Sequence, residues 1–218
     1  MPSTRDQRPY NVNYYRGHRR EEIERVTRRQ QATLAFLRDL RRVPCMDCCE
    51  RFEPHQMDFD HRDPSVKSYN LTSAGAMLKR RDLLMGEVAK CDIVCANCHA
   101  ARSYRLQGER WMDRRKNATL ISTPRAISRR RRSLTKRELL LVLRTSPCHD
   151  CGRRLPAYLM QFDHRVPALK RFEVANSWCR SDQAIVTEAL KCDIVCPNCH
   201  RDRTFRRRTK RVWGSGRP

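Results

Sequence analysis

The chain has 218 residues, and its 47 lysines and arginines outnumber 24 acidic residues, which gives a formal net charge of +23 at pH 7. A balance this basic predicts a polyanionic partner, and nucleic acid is the commonest such partner. No segment approaches the ~18 consecutive apolar residues that a membrane helix requires, and the N-terminus lacks the apolar core of a secretory signal. We therefore expect an intracellular protein that does not contact a membrane.

The N-terminal part of the chain is expected to change from flexible to helical. Residues 1–19 are polar and basic, with tyrosines among arginines, which predicts a segment that is flexible without a partner. In residues 20–43 apolar side chains recur every three or four positions, and Pro44 follows. This pattern predicts an amphipathic helix that ends before Pro44.

Residues 44–106 form the first of two repeated modules. The module contains a Cys-x-x-Cys pair at Cys45, a Phe-Asp-His-Arg run at Phe59, and a Lys-Cys-Asp-Ile-Val-Cys-Ala-Asn-Cys-His run at Lys90. We expect a short β-hairpin across the first cysteine pair and the Met-x-Phe-Asp-His stretch. A helix that opens at the second cysteine pair is then expected to pack on this hairpin.

The second module, 134–206, follows a basic linker at 107–133 and precedes a basic tail at 207–218. It opens with a short helix that has a capping box at Thr135, and it repeats the motifs in the same order. From the second cysteine to the aspartate the separation is 12 residues in both copies (60 − 48 and 163 − 151). From the histidine to the next cysteine pair it is 34 and 32 residues (95 − 61 and 196 − 164), so the length difference spares the motifs.

The twelve cysteines raise two possibilities, disulfide bonds or metal sites. Eight of them form four Cys-x-x-Cys pairs, and two pairs at either end of a ~50-residue segment are typical of a four-thiolate zinc site. Reducing compartments also disfavour disulfides. We therefore predict two structural zinc sites, and we expect the remaining four cysteines to be small buried hydrophobes, namely Cys49, Cys91, Cys179 and Cys192.

An aspartate and a histidine are adjacent in each module, and a second histidine follows the last cysteine. Neighbouring residues of a regular strand face opposite sides, so the pair must lie at a strand end or a bend if both residues serve one site. The carboxylate of Asp60 and the imidazole of His99 would form an open divalent-metal site. His61 would then be free to take a proton from water.

These residues give each repeat a resemblance to the HNH endonuclease (His-Me finger) domains of the zinc-knuckle type found in many phage and bacterial proteins. The resemblance covers about residues 45–105 and 148–206, and the Asn-Cys-His ending after Lys-Cys-Asp-Ile-Val-Cys is its most specific part. It implies an α+β fold with two tandem ββα-metal modules, each with a four-cysteine zinc knuckle and each preceded by an amphipathic helix.

The resemblance also implies a role for each matched residue. His61 and His164 would be the general bases. The catalytic metal would be bound by Asp60 and His99 in the first module and by Asp163 and His200 in the second. The structural zinc ions would be bound by two sets of cysteines, Cys45, Cys48, Cys95 and Cys98, and Cys148, Cys151, Cys196 and Cys199.

One position departs from the family's pattern. The family's central asparagine stands five residues before the first cysteine of the second knuckle, and this chain has Lys90 and Lys191 there. Asn97 and Asn198 lie nearby and are candidates for orienting the catalytic histidine, although asparagine is also favoured in such turns for backbone reasons. Candidate phosphate contacts, each of which could equally be a solvated surface charge, are Arg62, Lys67, Arg102, Arg165, Lys170 and Arg203.

The sequence therefore predicts a metal-dependent DNA endonuclease with two HNH sites, which nicks DNA or cuts both strands. Its catalytic metal would be Mg²⁺ or another divalent ion such as Mn²⁺, Ni²⁺ or Zn²⁺. One alternative is a zinc-stabilised DNA-binding protein that has lost cleavage, which the two lysines favour. Another is a protein with one active site and one DNA clamp. RNA as the substrate is a weaker possibility, because no RNA-recognition module is evident.

Overall fold

The computed structural model describes residues 7–73, 76–116, 135–177 and 179–214. It has a mixed α/β architecture with two small two-stranded sheets, and its internal contacts divide the chain into two compact units, Met1–Ile93 and Val94–Pro218. Within the described residues, no helix combines the length and apolar character that a membrane span requires.

Helix α1 runs from Gln7 to Leu40, so residues 7–19, which we expected to be a flexible segment, belong to the same helix as the predicted one that follows. Pro9 stands in the first turn, where a helix tolerates proline because that N–H has no partner within the helix. The C-terminal end of α1 packs against the core of the first unit, in which Leu37 is buried. Helix formation upstream is supported by local pairs such as Arg20 and Glu24, 3.2 Å apart.

The chain continues with β1 (Met57–His61) and α2 (Arg81–Val88), which lie in the first unit, and with β2 (Cys91–Cys95), which runs across the boundary at Ile93. Strand β1 pairs with β2, so the hairpin that we expected across the first cysteine pair is wrong. The β-branched Ile93 and Val94 make the run into the second cysteine pair a better strand than the first pair, whose residues form turns. Leu37 and Leu84 are among the residues at the centre of this unit's core.

The second unit contains α3 (Ala96–Lys116), α4 (135–142), β3 (Gln161–His164), α5 (Asp182–Ala189), β4 (Cys192–Val195) and α6 (Pro197–Gly214). Strands β3 and β4 are antiparallel, with Asp163 opposite Asp193 and His164 opposite Cys192. Ser181 caps α5 by accepting a hydrogen bond from the Ala184 N–H, 3.3 Å away. The prediction that a helix opens at each second cysteine pair is confirmed by α3 and α6.

Helices α3 and α6 extend beyond their expected ends. Residues 107–116 continue α3 instead of beginning a linker, and 207–214 continue α6 instead of forming a tail. The arginine run at 129–132 of the predicted linker lies outside the described residues. Both extensions are rich in arginine and lysine, which are good helix formers, so a basic composition did not distinguish a linker or a tail from a helix.

The turn after each first cysteine pair requires a left-handed backbone. Gly152 adopts φ +68°, and the equivalent residue of the first repeat is Cys49, with φ 58°. In both turns the N–H of this residue donates to the carbonyl of the first cysteine, 2.9 Å away. Glycine adopts this conformation freely, whereas a side chain with a Cβ is strained in it.

We expect Cys49→Gly to raise the free energy of unfolding of the zinc-saturated protein by up to about 1 kcal/mol, because it removes this strain. The matched change Gly152→Ala should lower it by a similar amount, and an added Cβ there would meet no heavy atom within 4 Å, so the effect would be one of backbone alone. Urea denaturation followed by circular dichroism measures both. Stabilisation by Gly152→Ala would contradict this account of the turn.

Candidate metal centres and catalytic site

The four cysteines of the second unit converge on one point. The sulfurs of Cys148, Cys151, Cys196 and Cys199 all lie within 4.8 Å of one another. The Cys196 N–H donates to the Cys148 sulfur at 3.2 Å. Burial opposes ionisation of the Cys148 thiol, but backbone N–H groups that point at its sulfur outweigh burial and lower its pKa to about 7. The cluster therefore favours a thiolate, the form that binds zinc.

The corresponding cysteines of the other repeat, Cys45, Cys48, Cys95 and Cys98, satisfy the same 4.8 Å criterion. Each set of four sulfur donors fits a tetrahedral zinc ion, and none of the twelve cysteines forms a disulfide. Among the other four cysteines, Cys91 and Cys192 are buried as predicted. Cys49 and Cys179 are exposed, so that prediction is wrong for them.

The predicted base of the second module, His164, is held by a buried glutamate. Its Nε2 lies 2.9 Å from Oε1 of Glu188, which projects from α5. The other oxygen of Glu188 accepts a hydrogen bond from the Lys191 ammonium at 2.6 Å, and Oε1 also accepts one from the Arg171 N–H at 2.8 Å. Glu188 is only 1% exposed. The carboxylate thus fixes the orientation of the imidazole ring.

The first unit contains the same arrangement. His61 Nε2 lies 2.8 Å from Oε1 of Glu87, Lys90 donates to Oε2 at 2.8 Å, and the Ser68 N–H donates to Oε1 at 2.9 Å. Burial opposes ionisation of Glu87 and Glu188, but these hydrogen bonds prevail and lower both pKa values to about 2. Each carboxylate therefore stays charged near neutral pH.

The two glutamates were missed in the sequence, although a signal was present. Glu87 and Glu188 each stand three residues before the lysine at the family's asparagine position, in the pattern Glu-x-x-Lys-Cys of both copies. One helical turn brings the glutamate and lysine side chains together. Lys90 and Lys191 thus contact the carboxylate that orients the histidine. Within the part of the chain that the structure describes, neither lysine donates a hydrogen bond to the histidine itself.

Asp60 and Asp163 each stand one residue before the last residue of their strand, β1 or β3. The Asp-His pairs therefore occupy strand ends, one of the two positions that a shared site requires. Asp163 is buried, and both of its oxygens accept hydrogen bonds from arginine. Arg207 donates to Oδ1 and Oδ2, each at 2.8 Å, and Arg203 donates to Oδ2 at 3.0 Å. Burial opposes ionisation of Asp163, but His200 and these arginines hold its pKa well below the usual range.

His200 lies beside Asp163, as a shared role would require. Its Nε2 is 3.4 Å from Asp163 Oδ1, and its Nδ1 is 2.6 Å from Oε1 of Gln161. The predicted metal ligands of the second module are therefore adjacent, but Arg207 occupies the carboxylate in the bidentate manner typical of an internal salt bridge. As arranged here, the pair does not fit an open divalent-metal site.

A cavity of about 500 Å³ in the second unit brings these side chains together. It is lined by Asp163, His164, His200 and the cationic Arg144, Lys170 and Arg207. The Arg144 guanidinium lies over the Phe162 ring at 4.8 Å, and burial lowers its pKa. Arg144 was missed in the sequence. The first unit contains the equivalent pair, in which the Arg41 guanidinium lies 4.7 Å from the centre of the Phe59 ring.

Several candidate phosphate contacts have structural partners. Arg165 donates to the carbonyls of Cys192 and Leu190, and Arg62 donates in the same way to those of Cys91 and Ala89. Both arginines thus brace the start of a strand while about half of each side chain stays exposed. Lys67 donates to Asn70 at 3.1 Å and Lys170 to Glu173 at 2.9 Å.

Arg203, another candidate phosphate contact, is nearly enclosed by carboxylates. Besides Asp163 it donates to Asp193 at 2.9 Å and to both oxygens of Asp150. These bonds, chiefly the one with Asp150, raise its pKa. The equivalent Arg102, like Asp60 and His99, is also engaged with neighbouring residues.

The two asparagines that we considered for orienting the histidines bond to each other. The Asn97 N–H donates to Asn198 Oδ1 at 3.0 Å, and the Asn198 N–H donates to Asn97 Oδ1 at 3.1 Å. Each asparagine thereby supplies an acceptor to the N-terminus of the other's helix, where backbone N–H groups lack partners. In the second unit, the rings of Tyr104 and Tyr158 stack with their centroids 3.9 Å apart. This contact joins α3 to the loop before β3.

Comparisons of the chain with protein-family models, with curated proteins and with solved structures found no match. The chemistry of the site therefore has to be derived from its own residues.

We expect the purified protein to contain two zinc ions per chain and Cys148→Ser to contain one. A structural zinc site contributes on the order of 10 kcal/mol to folding, so a strong chelator should also unfold the protein. Metal analysis and circular dichroism measure the two effects. Cys179→Ser, which alters an exposed cysteine outside both clusters, is the matched control and should retain both ions.

Replacing the buried Glu188 by glutamine should lower the free energy of unfolding by about 2 kcal/mol near neutral pH, because charge-assisted hydrogen bonds to Lys191 and His164 are lost. The pKa of Glu188 is about 2 in the folded protein and lies below its ordinary value of 4.5. The extra stability of the wild type over Glu188→Gln is therefore fully present above pH 4.5. It should decline as the pH falls from 4.5 towards 2.

Urea titrations of wild type and Glu188→Gln across this pH range give the difference, and loss of zinc in acid affects both proteins alike. Glu173→Gln is the control, because that carboxylate is 61% exposed. A wild-type advantage that grows with falling pH would contradict the role assigned to Glu188.

Proposed function

We propose that this protein is a metal-dependent endonuclease that hydrolyses phosphodiester bonds of DNA, built on two zinc-stabilised modules of the HNH type. The observation that carries the proposal is the buried histidine and glutamate pair at the end of the Asp-His strand in both copies. A structural protein has little use for two such pairs, because burying a carboxylate is costly unless it is fully hydrogen-bonded.

The pair is suited to general base catalysis. The glutamate accepts from Nε2 of His61 or His164, which fixes the tautomer with the proton on Nε2 and leaves Nδ1 as the proton acceptor. The negative carboxylate then stabilises the imidazolium that forms when the ring takes a proton from water. Lys90 and Lys191 keep the glutamates ionised, so the lysine at the family's asparagine position supports the base indirectly.

A divalent ion bound to the aspartate and to the histidine after the last cysteine would supply the stabilisation of charge on the leaving oxygen. In the second module such an ion would first have to displace Arg207 from Asp163. The protein's own cations would position the DNA. In the second unit, Arg144 and Lys170 line the same cavity as His164 and are suited to phosphate oxygens. With a formal net charge of +23, affinity for DNA should fall steeply with salt.

A second candidate function, a DNA-binding protein without cleavage, is favoured by one specific observation. Arg203 and Arg207 occupy both oxygens of Asp163, the aspartate that an active second module needs for metal. The two candidates make opposite predictions about cutting and the same prediction about binding.

We expect the zinc-loaded protein to nick supercoiled plasmid with Mg²⁺ or Mn²⁺, and the double change His61→Ala with His164→Ala to reduce the rate by at least about 100-fold, the contribution typical of a general base. Gel analysis of time courses gives the rates, and the single variants assign the activity to one module or both. His55→Ala removes an imidazole of the first module outside the site and is the control.

Zinc content and DNA affinity have to be measured on each variant, because only an unchanged fold makes the rates comparable. If the zinc-loaded wild type binds DNA but never cuts it with any divalent metal, the binding protein is the correct function. Cutting that continues undiminished in the double variant would show that neither histidine is the base.

A further inference from the structure

The two repeats differ in the charge that surrounds the predicted metal ligands. The first module has Asp58 and Leu106 at the positions where the second has Gln161 and Arg207 (58 + 103 = 161 and 106 + 101 = 207). These two positions carry a formal charge of −1 in the first module and +1 in the second. The predicted metal ligands and bases themselves are the same residue types in both copies.

Both differing residues touch the predicted ligands in the second unit. Gln161 Oε1 lies 2.6 Å from His200 Nδ1, and Arg207 donates to both oxygens of Asp163 at 2.8 Å. A metal-binding histidine commonly donates its second N–H to a carboxylate, which strengthens the ring as a ligand. The neutral amide of Gln161 gives less of this support than an aspartate at the same position would.

Arg207 is well placed to act as a permanent counter-cation. It also donates to the His164 carbonyl at 3.2 Å, so three hydrogen bonds fix its guanidinium against the strand end. Asp163 is 4% exposed and also accepts from Arg203, which means that a divalent ion would have to displace a bidentate salt bridge from a buried carboxylate. Bringing a divalent ion close to two guanidinium groups is also unfavourable in a site with little water.

We propose that only the first module binds a divalent cation in addition to zinc, and that Arg207 takes the place of this cation in the second module. The proposal rests on the proposed function, since it assigns the metal of that reaction to one of the two sites. The second module keeps its histidine–glutamate pair, its four-cysteine cluster and its cationic cavity. These features suit it to hold DNA while the first module cuts.

The experiment counts manganese ions on the full, zinc-loaded chain without DNA, by electron paramagnetic resonance of free Mn²⁺. We expect one tight Mn²⁺ per wild-type chain, lost in Asp60→Asn. Arg207→Leu, which introduces the residue of the first module, should bind a second ion, and the combination with Asp60→Asn should bind one. The reciprocal change Leu106→Arg should abolish binding by the wild-type site.

A count of two ions, or of none, on the wild-type chain would overturn the proposal, and neither result depends on the folding of a variant. The proposal would also be overturned if Arg207→Leu kept its zinc and its circular dichroism spectrum but bound no second manganese ion. Plasmid nicking separates this proposal from the proposed function. The expected counts without any nicking would refute the endonuclease alone, whereas nicking with two ions on the wild type would refute the role of Arg207 alone.

Discussion

The four-cysteine cluster is the constraint on which the second unit depends. Its sulfurs join the turn before β3 to the junction of β4 and α6. Burial and the neighbouring sulfurs raise the pKa of Cys199. This thiol therefore resists ionisation until a bound cation offsets the negative charge of the cluster. The apolar residues packed around the cluster are few, which leaves the metal to supply stability that a small core cannot. With the start of α6 fixed, His200, Arg203 and Arg207 follow on successive turns and reach the end of β3.

A second constraint is the buried glutamate in each repeat. Glu87 and Glu188 are almost inaccessible to water, and a charge in such a position is tolerated only when hydrogen bonds surround it. Lysine, histidine and backbone N–H groups provide them in both units. The geometry that satisfies the carboxylate is also the geometry that fixes one nitrogen of the histidine, so in the proposed function the same contacts would serve stability and catalysis.

Duplication followed by local divergence explains the pattern of agreement between the repeats. The glutamate network, the arginine that braces the strand and the arginine over phenylalanine are kept in both copies. Around the aspartate the copies differ, because Gln161 and Arg207 of the second stand where the first has Asp58 and Leu106. In the second copy the salt bridge from Arg207 satisfies the buried carboxylate of Asp163.

The sequence by itself determined the duplication, the four-cysteine sites and the helices that open at the second cysteine pairs. These features depend on short-range spacing, which the sequence states directly. Only the tertiary structure decided that β1 and β3 pair with strands some thirty residues onward, that Glu188 contacts His164, and that Arg207 closes on Asp163. Such contacts join residues 24 and 44 positions apart, and no local pattern reveals which side chains the turns between them will bring together.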